Sequence, residues 1–357
     1  MKYLKIKSHF GSYEIKIFPN EADIASLSHR TDVWLLDKNI SNQMSIDRDK
    51  SILINAVEEN KTLESCGGIL AKFKELDLKR GGVITVAGGG VLQDLGTLSA
   101  SIYMRGVKWH FLPTTLLAMV DSCIGGKSSI NHGNYKNIIG NYYPPNSIYI
   151  FPTFCRTLDQ GRIIEGVFEA IKICFAKGHT DYESIWKYLN LNSGLLTCDF
   201  HELIFTSLSA KKYFIEIDEF DDGPRLLLNF GHTFGHALEA ASDYEVPHGV
   251  AVGIGMLMAC RFSTSSGFVK KQNKHSEKLC DDIHRLLGYW GPLPALLEKI
   301  DANLAMKAFL SDKKHGHGYF RLILPNCEGT LEIVKIEKNI KNTASIFSLF
   351  EKCGGLR

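Results

Sequence analysis

The strongest constraint on the fold is a short apolar segment that runs directly into three consecutive glycines. Residues 81–87 (GGVITVA) predict a buried strand, and Gly88, Gly89 and Gly90 follow at once. Residues 91–104 then predict a helix. A strand, a glycine turn and a helix form the repeating unit of parallel α/β folds, which bind a nucleotide at the carboxyl end of the strand.

The glycine run supports two interpretations. Glycines let the backbone approach a pyrophosphate closely and present N–H groups to it. The spacing is GGG rather than GxGxxG, so the general dinucleotide fingerprint is absent, and a tight turn without a ligand explains the run equally well. Asp37 ends the apolar run Val33–Leu36 and favours the nucleotide, because an acid at a strand tip can accept from ribose hydroxyls. A helix N-cap is the other interpretation of Asp37.

The chain changes character near residue 160. Up to that point, apolar runs such as residues 108–112 alternate with helical segments, which predicts a parallel α/β domain. From residue 161 onward the pattern is mainly helical. We therefore predict two domains, over residues 1–160 and 161–357.

Charge and cysteine content exclude several classes of partner. The 357 residues carry 41 basic and 39 acidic side chains, a net charge of +2, which gives no electrostatic basis for binding nucleic acid or an anionic membrane. Nine cysteines without a CxxC pair predict reduced thiols in the cytoplasm. The first residues lack the apolar core of a signal peptide, and no apolar run reaches the ~18 residues of a membrane span. We expect a soluble, cytoplasmic protein.

Three histidines and two opposite charges on a partly buried helix face predict a polar site in the second domain. His232 and His236 are four residues apart and share a face of a predicted helix, and His248 precedes a second apolar helical run. This density of imidazoles indicates a metal or anion site, and a hydrogen-bonded cluster at a helix end is the alternative. Glu169 and Lys172 share one apolar helix face, as a structural ion pair or a functional one.

A second glycine motif, Gly125-Gly126-Lys127-Ser128, resembles the end of a P-loop. The upstream glycine of GxxxxGK is missing, which argues against a Walker nucleotide hydrolase. A flexible glycine pair that places Lys127 at a phosphate remains consistent with the sequence.

Several segments together resemble the sugar phosphate cyclases, and most closely the 3-dehydroquinate synthase family. They occur in the family order and cover most of residues 30–325. The segments are GGGVLQDLGTLSASIYMRG, PTTLLAMVDSCIGGKSSIN, YKNIIGNYYPP, EGVFEAIK, LLLNFGHTFGHALEAASDY, PHGVAVGIGMLMA and a DKK before RLILP.

The resemblance implies an α/β N-terminal Rossmann-like NAD-binding domain and a mainly α-helical C-terminal metal-binding domain, with the site in the cleft between them. It implies a divalent metal, zinc first and cobalt second, held by Glu169, His232 and His248. Two imidazoles and a carboxylate are sound ligands for a catalytic zinc. His236 would bind the substrate phosphate instead of the metal.

The resemblance also assigns the remaining contacts. The NAD contacts would be Asp37, Glu58, Lys61, Gly88, Gly89, Gly90, Asp94, Thr114, Thr115, Asp121, Lys136, Asn137, Thr157 and Leu158. The substrate contacts would be Asp121, Lys127, Lys172, Lys211, Arg225, Asn229, His236 and Lys313, where the short DKK string also admits Lys314. Arg105 would act in trans across a homodimer, at the phosphate site of the partner.

The implied reaction converts 3-deoxy-arabino-heptulosonate 7-phosphate to 3-dehydroquinate and phosphate, a step of the shikimate pathway to aromatic amino acids. NAD is oxidant and then reductant at C5, phosphate is eliminated, and an intramolecular aldol step closes the ring. Departures from the family pattern are Gln93, Ser128-Ser129, Phe168 and Val250.

The departures leave room for other functions. One alternative is a related cyclase acting on sedoheptulose 7-phosphate or glucose 6-phosphate, whose substrates lack the carboxylate. Another is a metal-dependent polyol dehydrogenase, which would produce NADH in net amounts. A non-catalytic binding module is a third, and the intact set of ionisable residues argues against it.

Overall fold

The computed structural model describes residues 1–20, 24–44, 46–133, 135–192 and 195–353. The chain forms two compact units. The first comprises Met1–Leu158 and Phe200–Phe220, and the second comprises Asp159–Asp199 and Asp221–Arg357.

A seven-stranded sheet forms the centre of the first unit, in the order β1-β2-β9-β6-β5-β3-β4. All neighbours pair in parallel except β1 and β2. The strands are β1 (Lys2–Ile6), β2 (Tyr13–Ile17), β3 (Val33–Asp37), β4 (Ser51–Ile54), β5 (Val83–Gly88), β6 (Lys108–Pro113) and β9 (Ser147–Ile150), and a separate small hairpin consists of β7 (Ile130–His132) and β8 (Tyr135–Ile139). The central strands are buried apolar runs, as expected of parallel strands covered on both faces.

The direction of chain progression through this sheet reverses between β3 and β5. From β3 the chain moves outward to β4, and from β5 it moves the other way to β6. In open α/β sheets, ligands bind beyond the carboxyl ends of the strands at such a switch point. Asp37 is the last residue of β3 and Gly88 is the last residue of β5, so the predicted nucleotide residues flank that point.

Among its described residues, the first unit also contains four α-helices, several 3-10 turns and a π turn. The helices are α1 (Ile24–Ser28), α2 (Leu63–Glu75), α3 (Gly90–Ile102) and α6 (Phe200–Ile217), and the π turn spans Ala118–Ser122.

Helix α6 lies in the first unit, whereas the sequence placed everything after residue 160 in the second domain. The hydroxyl of Ser207 donates to the Val120 carbonyl at 2.9 Å, and Lys2 pairs with Glu202 at 2.5 Å. These contacts tie α6 to the π turn and to strand β1. Helical periodicity predicts the helix correctly, but it carries no information on which unit the helix joins.

The second unit is mainly helical, as predicted. Its helices are α4 (Gln160–Lys177), α5 (His179–Trp186), α7 (His232–Ala241), α8 (His248–Ser265), α9 (Lys274–Leu287), α10 (Leu293–Leu297), α11 (Ala302–Leu310) and α12 (Ile340–Glu351). Its strands form two hairpins, β10 (Leu189–Asn192) with β11 (Leu195–Cys198), and β12 (Tyr319–Pro325) with β13 (Leu331–Glu337).

Glycines on α8 permit close packing against α4 and α7. A Cβ at Gly249 would lie 2.3 Å from the Glu165 carbonyl oxygen on α4. A Cβ at Gly255 would lie 2.0 Å from the Gly231 carbonyl oxygen, next to the start of α7. Real Cβ atoms do not approach that closely, so only glycine allows these helices to meet. Among the described residues, none of the helices has the length and apolar character needed to cross a bilayer.

Candidate active site

A polar network connects four of the predicted NAD residues in the first unit. The Lys61 ammonium lies 2.7 Å from Asp94 Oδ2 and donates to Asn137 Oδ1 at 2.8 Å. The Asn131 amide donates to Glu58 Oε1 at 2.9 Å, and its own Oδ1 accepts the Asn137 N–H at 3.0 Å. Glu58, Lys61, Asp94 and Asn137 are therefore brought together, and Asn131 links them.

Lys61 is buried, and the Asp94 side chain is 17% exposed. Burial raises the pKa of Asp94 above its usual value, and the Lys61 ammonium opposes that increase. The second carboxylate oxygen, Oδ1, accepts the Ser129 N–H at 3.0 Å. Removal of either charge would leave the other buried without its partner, which is strongly destabilising.

The glycine turn begins helix α3, with Gly89 as its N-cap. A Cβ at Gly89 would lie 3.1 Å from the Thr115 methyl group, and the Thr114 N–H donates to the Gly88 carbonyl at 3.0 Å. The Thr114 N–H thus holds the carbonyl of Gly88, and nothing lies within 4 Å of a Cβ built at Gly90. Such a turn at a helix N-terminus suits a phosphate.

The other predicted NAD residues make local contacts. Asp37 accepts the Asn39 N–H at 2.9 Å, so it caps its own turn. Thr157 donates to the Phe154 carbonyl at 2.9 Å and the Leu158 N–H donates to the Cys155 carbonyl at 3.3 Å, both within one turn. Lys136 is exposed on β8.

Asp121 and Lys211, two predicted substrate residues, form a pair in the first unit. The buried Lys211 ammonium lies 2.5 Å from Asp121 Oδ1 and donates to the Asp121 carbonyl at 2.6 Å. Asp121 belongs to the π turn, a helical irregularity that is frequent at functional sites. Lys127 is exposed and follows two glycines with positive φ angles, Gly125 and Gly126.

Three predicted metal ligands converge in the second unit. Glu169 lies on α4, and His232 and His248 are the first residues of α7 and α8. Glu169 Oε1 lies 3.6 Å from His248 Nε2 and 3.9 Å from His232 Nε2. Bonds of about 2.0–2.2 Å in a tetrahedral zinc site place ligand atoms about 3.4 Å apart. The donor set and its spacing therefore fit a zinc-like cation.

The surroundings of these ligands also suit a metal. Burial and the Lys172 ammonium lower the pKa of His232 well below its usual value, so its nitrogen keeps a lone pair. Burial opposes a charge on His248, but its hydrogen bond to Glu239 and the nearby Glu169 raise its pKa to about 9. Both Glu239 oxygens lie 3.2 Å from His248 Nδ1, an arrangement that orients a metal-ligating histidine. Lys172 is buried and paired with Glu169.

His236 lies one turn into α7, beside the other two histidines. Ligand nitrogens of His232, His236 and His248 fall within 4.8 Å of one another, so a metal site that uses His236 is also geometrically open. Burial lowers the pKa of His236, and the charge of Lys314 lowers it further, to about 4. Lys314 is held by Asp312 at 2.7 Å, whereas Lys313 is exposed. The charge of Lys314 therefore acts on His236, and the role of Lys313 as a substrate contact stays a prediction.

The last three predicted residues lie on turns. Arg225 is buried in the 3-10 turn Pro224–Asn229, and Asn229 ends that turn with its amide donating to the Leu226 carbonyl at 3.2 Å. Arg105 is exposed after α3.

Two family profiles match adjacent parts of the chain. Residues 51–165 match the profile described as 3-dehydroquinate synthase N-terminal, and residues 166–315 match the one described as 3-dehydroquinate synthase C-terminal. The chain belongs to the 3-dehydroquinate synthase family. The predicted family resemblance is confirmed.

Individual members of the family are similar over most of the chain. A 3-dehydroquinate synthase of Clostridium tetani is 39% identical over 287 residues, which cover 79% of this chain and 73% of that protein. One of Saccharolobus solfataricus is 36% identical over 294 residues, 80% of each chain. A crystal structure of 2-deoxy-scyllo-inosose synthase with carbaglucose-6-phosphate, NAD+ and Co2+ has a TM-score of 0.82 at 18% identity, over 98% of this chain and 99% of that one. That last likeness concerns the fold, and it confirms the predicted fold class.

Sequence reasoning missed three residues that support the site. Ser129 and Asn131 extend the Lys61 network, and Glu239 orients His248. Glu239 lies seven residues after His232 on the same helix, and that helical spacing is a signal that could have identified it.

Proposed function

We propose that this protein is a 3-dehydroquinate synthase that converts 3-deoxy-arabino-heptulosonate 7-phosphate to 3-dehydroquinate and phosphate. The observation that carries the proposal is the convergence of Glu169, His232 and His248, next to a buried lysine, in a chain of this family. Membership of the family alone would not identify the reaction, but all three predicted metal-binding side chains are present and lie close together. The pathway would be the shikimate route, and its cytoplasmic location stays a prediction.

NAD would bind at the switch point of the first unit. The turn Gly88–Gly90 would receive the pyrophosphate, and Asp37 and Glu58 would accept from ribose hydroxyls. The Lys61–Asp94 pair would hold that surface rigid. The chemistry that the bound groups would supply is reversible hydride transfer at C5 by NAD and polarisation of the C5 hydroxyl by the divalent cation, with no net redox change.

The chain's own residues would orient the substrate around C4 and C5. Lys172 fixes one oxygen of Glu169 and can donate to a substrate hydroxyl, since an ammonium carries three protons. Asp121, held by Lys211, can accept from a hydroxyl and steer a proton. His236, Lys127, Asn229 and Lys313 or its neighbour Lys314 would bind the phosphate, together with Arg105 of the partner in a homodimer.

Substrate choice within the family would depend on two buried cations. A carboxylate taken out of water needs charged hydrogen-bond donors. Lys211 and Arg225 are both buried and occupy the positions that this role requires in the family pattern. Cyclases of neutral heptulose phosphates have no use for this pair, which is why we favour the keto acid phosphate.

Steady-state release of inorganic phosphate tests the proposal directly. With NAD and zinc, the wild type should release phosphate from the keto acid phosphate faster than from sedoheptulose 7-phosphate, with no net NADH. The Arg225→Ala variant should lose about 2–4 kcal/mol of transition-state binding for the keto acid, roughly 30- to 1,000-fold in kcat/KM.

The exposed Arg285 on α9 supplies a control, because Arg285→Ala removes the same charge elsewhere on the second unit. Its kcat/KM should equal that of the wild type. Faster turnover of sedoheptulose 7-phosphate by the wild type would overturn the substrate assignment, and net NADH production would favour a polyol dehydrogenase.

A further inference from the structure

Gln93 is a buried amide at a position where the family pattern has glycine. It lies in the first turn of α3 and is 4% exposed. Its Nε2 donates to the Ser122 carbonyl at 2.6 Å, and its Oε1 accepts from the Ser122 hydroxyl at 2.6 Å. The side chain of Gln93 therefore donates one hydrogen bond to Ser122 and accepts another from it.

Ser122 is the last residue of the π turn that carries Asp121. Helix α6 holds the same turn from another side, through Ser207 to the Val120 carbonyl at 2.9 Å and through Lys211 to the Asp121 carbonyl at 2.6 Å. A π turn is rare and is frequent at functional sites, and here contacts from two neighbouring helices hold it. Gln93 supplies the contact from α3.

The backbone of Gln93 is also connected to the glycine turn Gly88–Gly90. The Gln93 N–H donates to the Gly89 carbonyl at 3.0 Å, so its backbone is one turn from the predicted pyrophosphate position. Thr115, whose methyl group lies against Gly89, accepts the Ala118 N–H at 3.3 Å. The glycine turn and the π turn are therefore connected twice.

We propose that Gln93 is a positioning residue that fixes Asp121 relative to the cofactor turn Gly88–Gly90. The inference rests on the proposed function, because it gives Asp121 its role at C4–C5. Gln93 acts through Ser122 and does not touch the substrate. A glycine at position 93 would make neither hydrogen bond, so this connection depends on the glutamine side chain of this chain.

Two substitutions separate this role from simple packing. Gln93→Met keeps the length and most of the volume of the side chain but removes its donor and acceptor. Ser122→Ala removes only the hydroxyl and leaves the carbonyl for Gln93. With the full-length protein loaded with NAD and zinc, Gln93→Met should lower kcat about 10- to 100-fold, because small misplacements of a catalytic group are costly. The Kd for NAD should change by a smaller factor than kcat, because Asp121 is only one of the many predicted NAD contacts.

Ser122→Ala should give a smaller loss of kcat, and the double variant should be no slower than Gln93→Met, because the residues act as a unit. The exposed Gln43 supplies the control, and Gln43→Met should keep the kcat of the wild type. An unchanged kcat in Gln93→Met, or equal losses of kcat and NAD affinity, would overturn the positioning role.

Hydrogen exchange gives a readout that does not depend on the reaction. Backbone amides of residues 118–123 should exchange about 10-fold faster or more in Gln93→Met, since local opening is limited by the contacts that close it. Unchanged exchange there would overturn the inference even if the wild type proved inactive on the keto acid. Wild-type inactivity with faster exchange would count against the proposed function alone. If Gln93→Met fails to fold, Ser122→Ala carries both tests, and wild-type kcat and exchange in that variant would refute the role.

Discussion

His248 lies between two carboxylates that act on opposite nitrogens of its ring. Glu239 contacts Nδ1 at 3.2 Å, and Glu169 Oε1 lies 3.6 Å from Nε2. The first contact fixes the ring, which leaves Nε2 directed towards Glu169 and available to a cation. Without a metal ion, the two carboxylates stabilise the protonated ring of His248. A metal ion would displace the proton and use the freed ring nitrogen as a ligand.

Loss of His248 should therefore remove the metal. Chelation should abolish phosphate release and zinc or cobalt should restore it, whereas His248→Ala should bind less than one zinc per chain and turn over on the order of 100-fold more slowly. Glu239→Gln should be milder, with zinc affinity about 10- to 100-fold weaker. The measurement is bound zinc by elemental analysis together with turnover.

The exposed His29 in the first unit provides the matched control, since His29→Ala removes an imidazole without touching the cluster. Full metal content and full turnover in His248→Ala would contradict the ligand assignment. His248 would then be a helix-terminal residue held by Glu239.

At this scale the sequence predicted which residue types meet, but not every position. Glu169, His232 and His248 follow from matched segments, and they do converge in space. The selection of Lys313 over Lys314 depended on a three-residue string, and only side-chain direction separates the two. Asn131 has no local signal, because its link to Glu58 spans distant turns.

Among the elements, α8 determines how the metal ligands are placed. Its glycines bring its first turns against α4. On α4, Phe168 immediately precedes Glu169 in the sequence. A Cβ at Gly253 would lie 2.8 Å from the Phe168 ring, so a large aromatic and a glycine compensate for each other. This pairing accounts for Phe168, one of the four departures from the family pattern.

Gly253→Ala should destabilise the protein by about 1–3 kcal/mol, because a methyl group would overpack a rigid ring. Phe168→Ala in the same chain should relieve part of that strain, so the double-variant cycle should show favourable coupling of about 0.5–3 kcal/mol. Denaturant unfolding gives the values.

Gly68 on α2 is the control, since nothing lies within 4 Å of a Cβ built there. Gly68→Ala should be neutral or stabilising by about 0.5–1 kcal/mol. Additive losses in the Gly253 and Phe168 cycle would show that the two residues are not coupled.

The sequence predicted the elements better than their irregularities. The apolar runs and the glycine turn were sufficient to predict a parallel α/β domain, whereas the strand order and its switch point are known only from the structure. The π turn at Ala118–Ser122 was not predictable, because an extra residue in a helical turn changes no residue type. Its shape depends on Gln93 and Ser207, which are distant in sequence.

At the scale of the whole molecule, the first unit is built from two separate parts of the chain, and α6 belongs to the second part. The chain leaves that unit after Leu158 and returns to it for Phe200–Phe220. Lys211 thereby joins Asp121 within a single unit. A single domain boundary in the sequence could not predict that Lys211 and Asp121 lie in the same unit. The long-range contacts of a helix do not affect the periodicity of its sequence.

Arg105 is the remaining predicted residue whose role depends on an assembly. It is exposed and lies in a strained turn, with φ values of 48° at Met104, 67° at Arg105 and 111° at Gly106. Left-handed non-glycine residues cost of order 1–3 kcal/mol each and persist where the surroundings fix them. The Gly106 N–H donates to the Tyr103 carbonyl at 2.9 Å and the Val107 N–H to the Ala100 carbonyl at 3.0 Å, so the turn presents Arg105 in a fixed position.

We predict that Arg105 completes the phosphate site of a second copy in a homodimer. Mixing Arg105→Ala with His232→Ala, each nearly inactive alone, should restore activity in the mixed dimers, where one metal-bearing site receives the partner's arginine. Random reassembly of equal amounts makes about half of the dimers mixed with one working site of two, so about a quarter of wild-type activity should return. A matched pair, Lys172→Ala with His232→Ala, should restore none, because Lys172 pairs with Glu169 of the same cluster. Verified mixed dimers without recovered phosphate release would place the role of Arg105 within its own chain, as a charge that stabilises the end of α3 by about 0.3–1 kcal/mol.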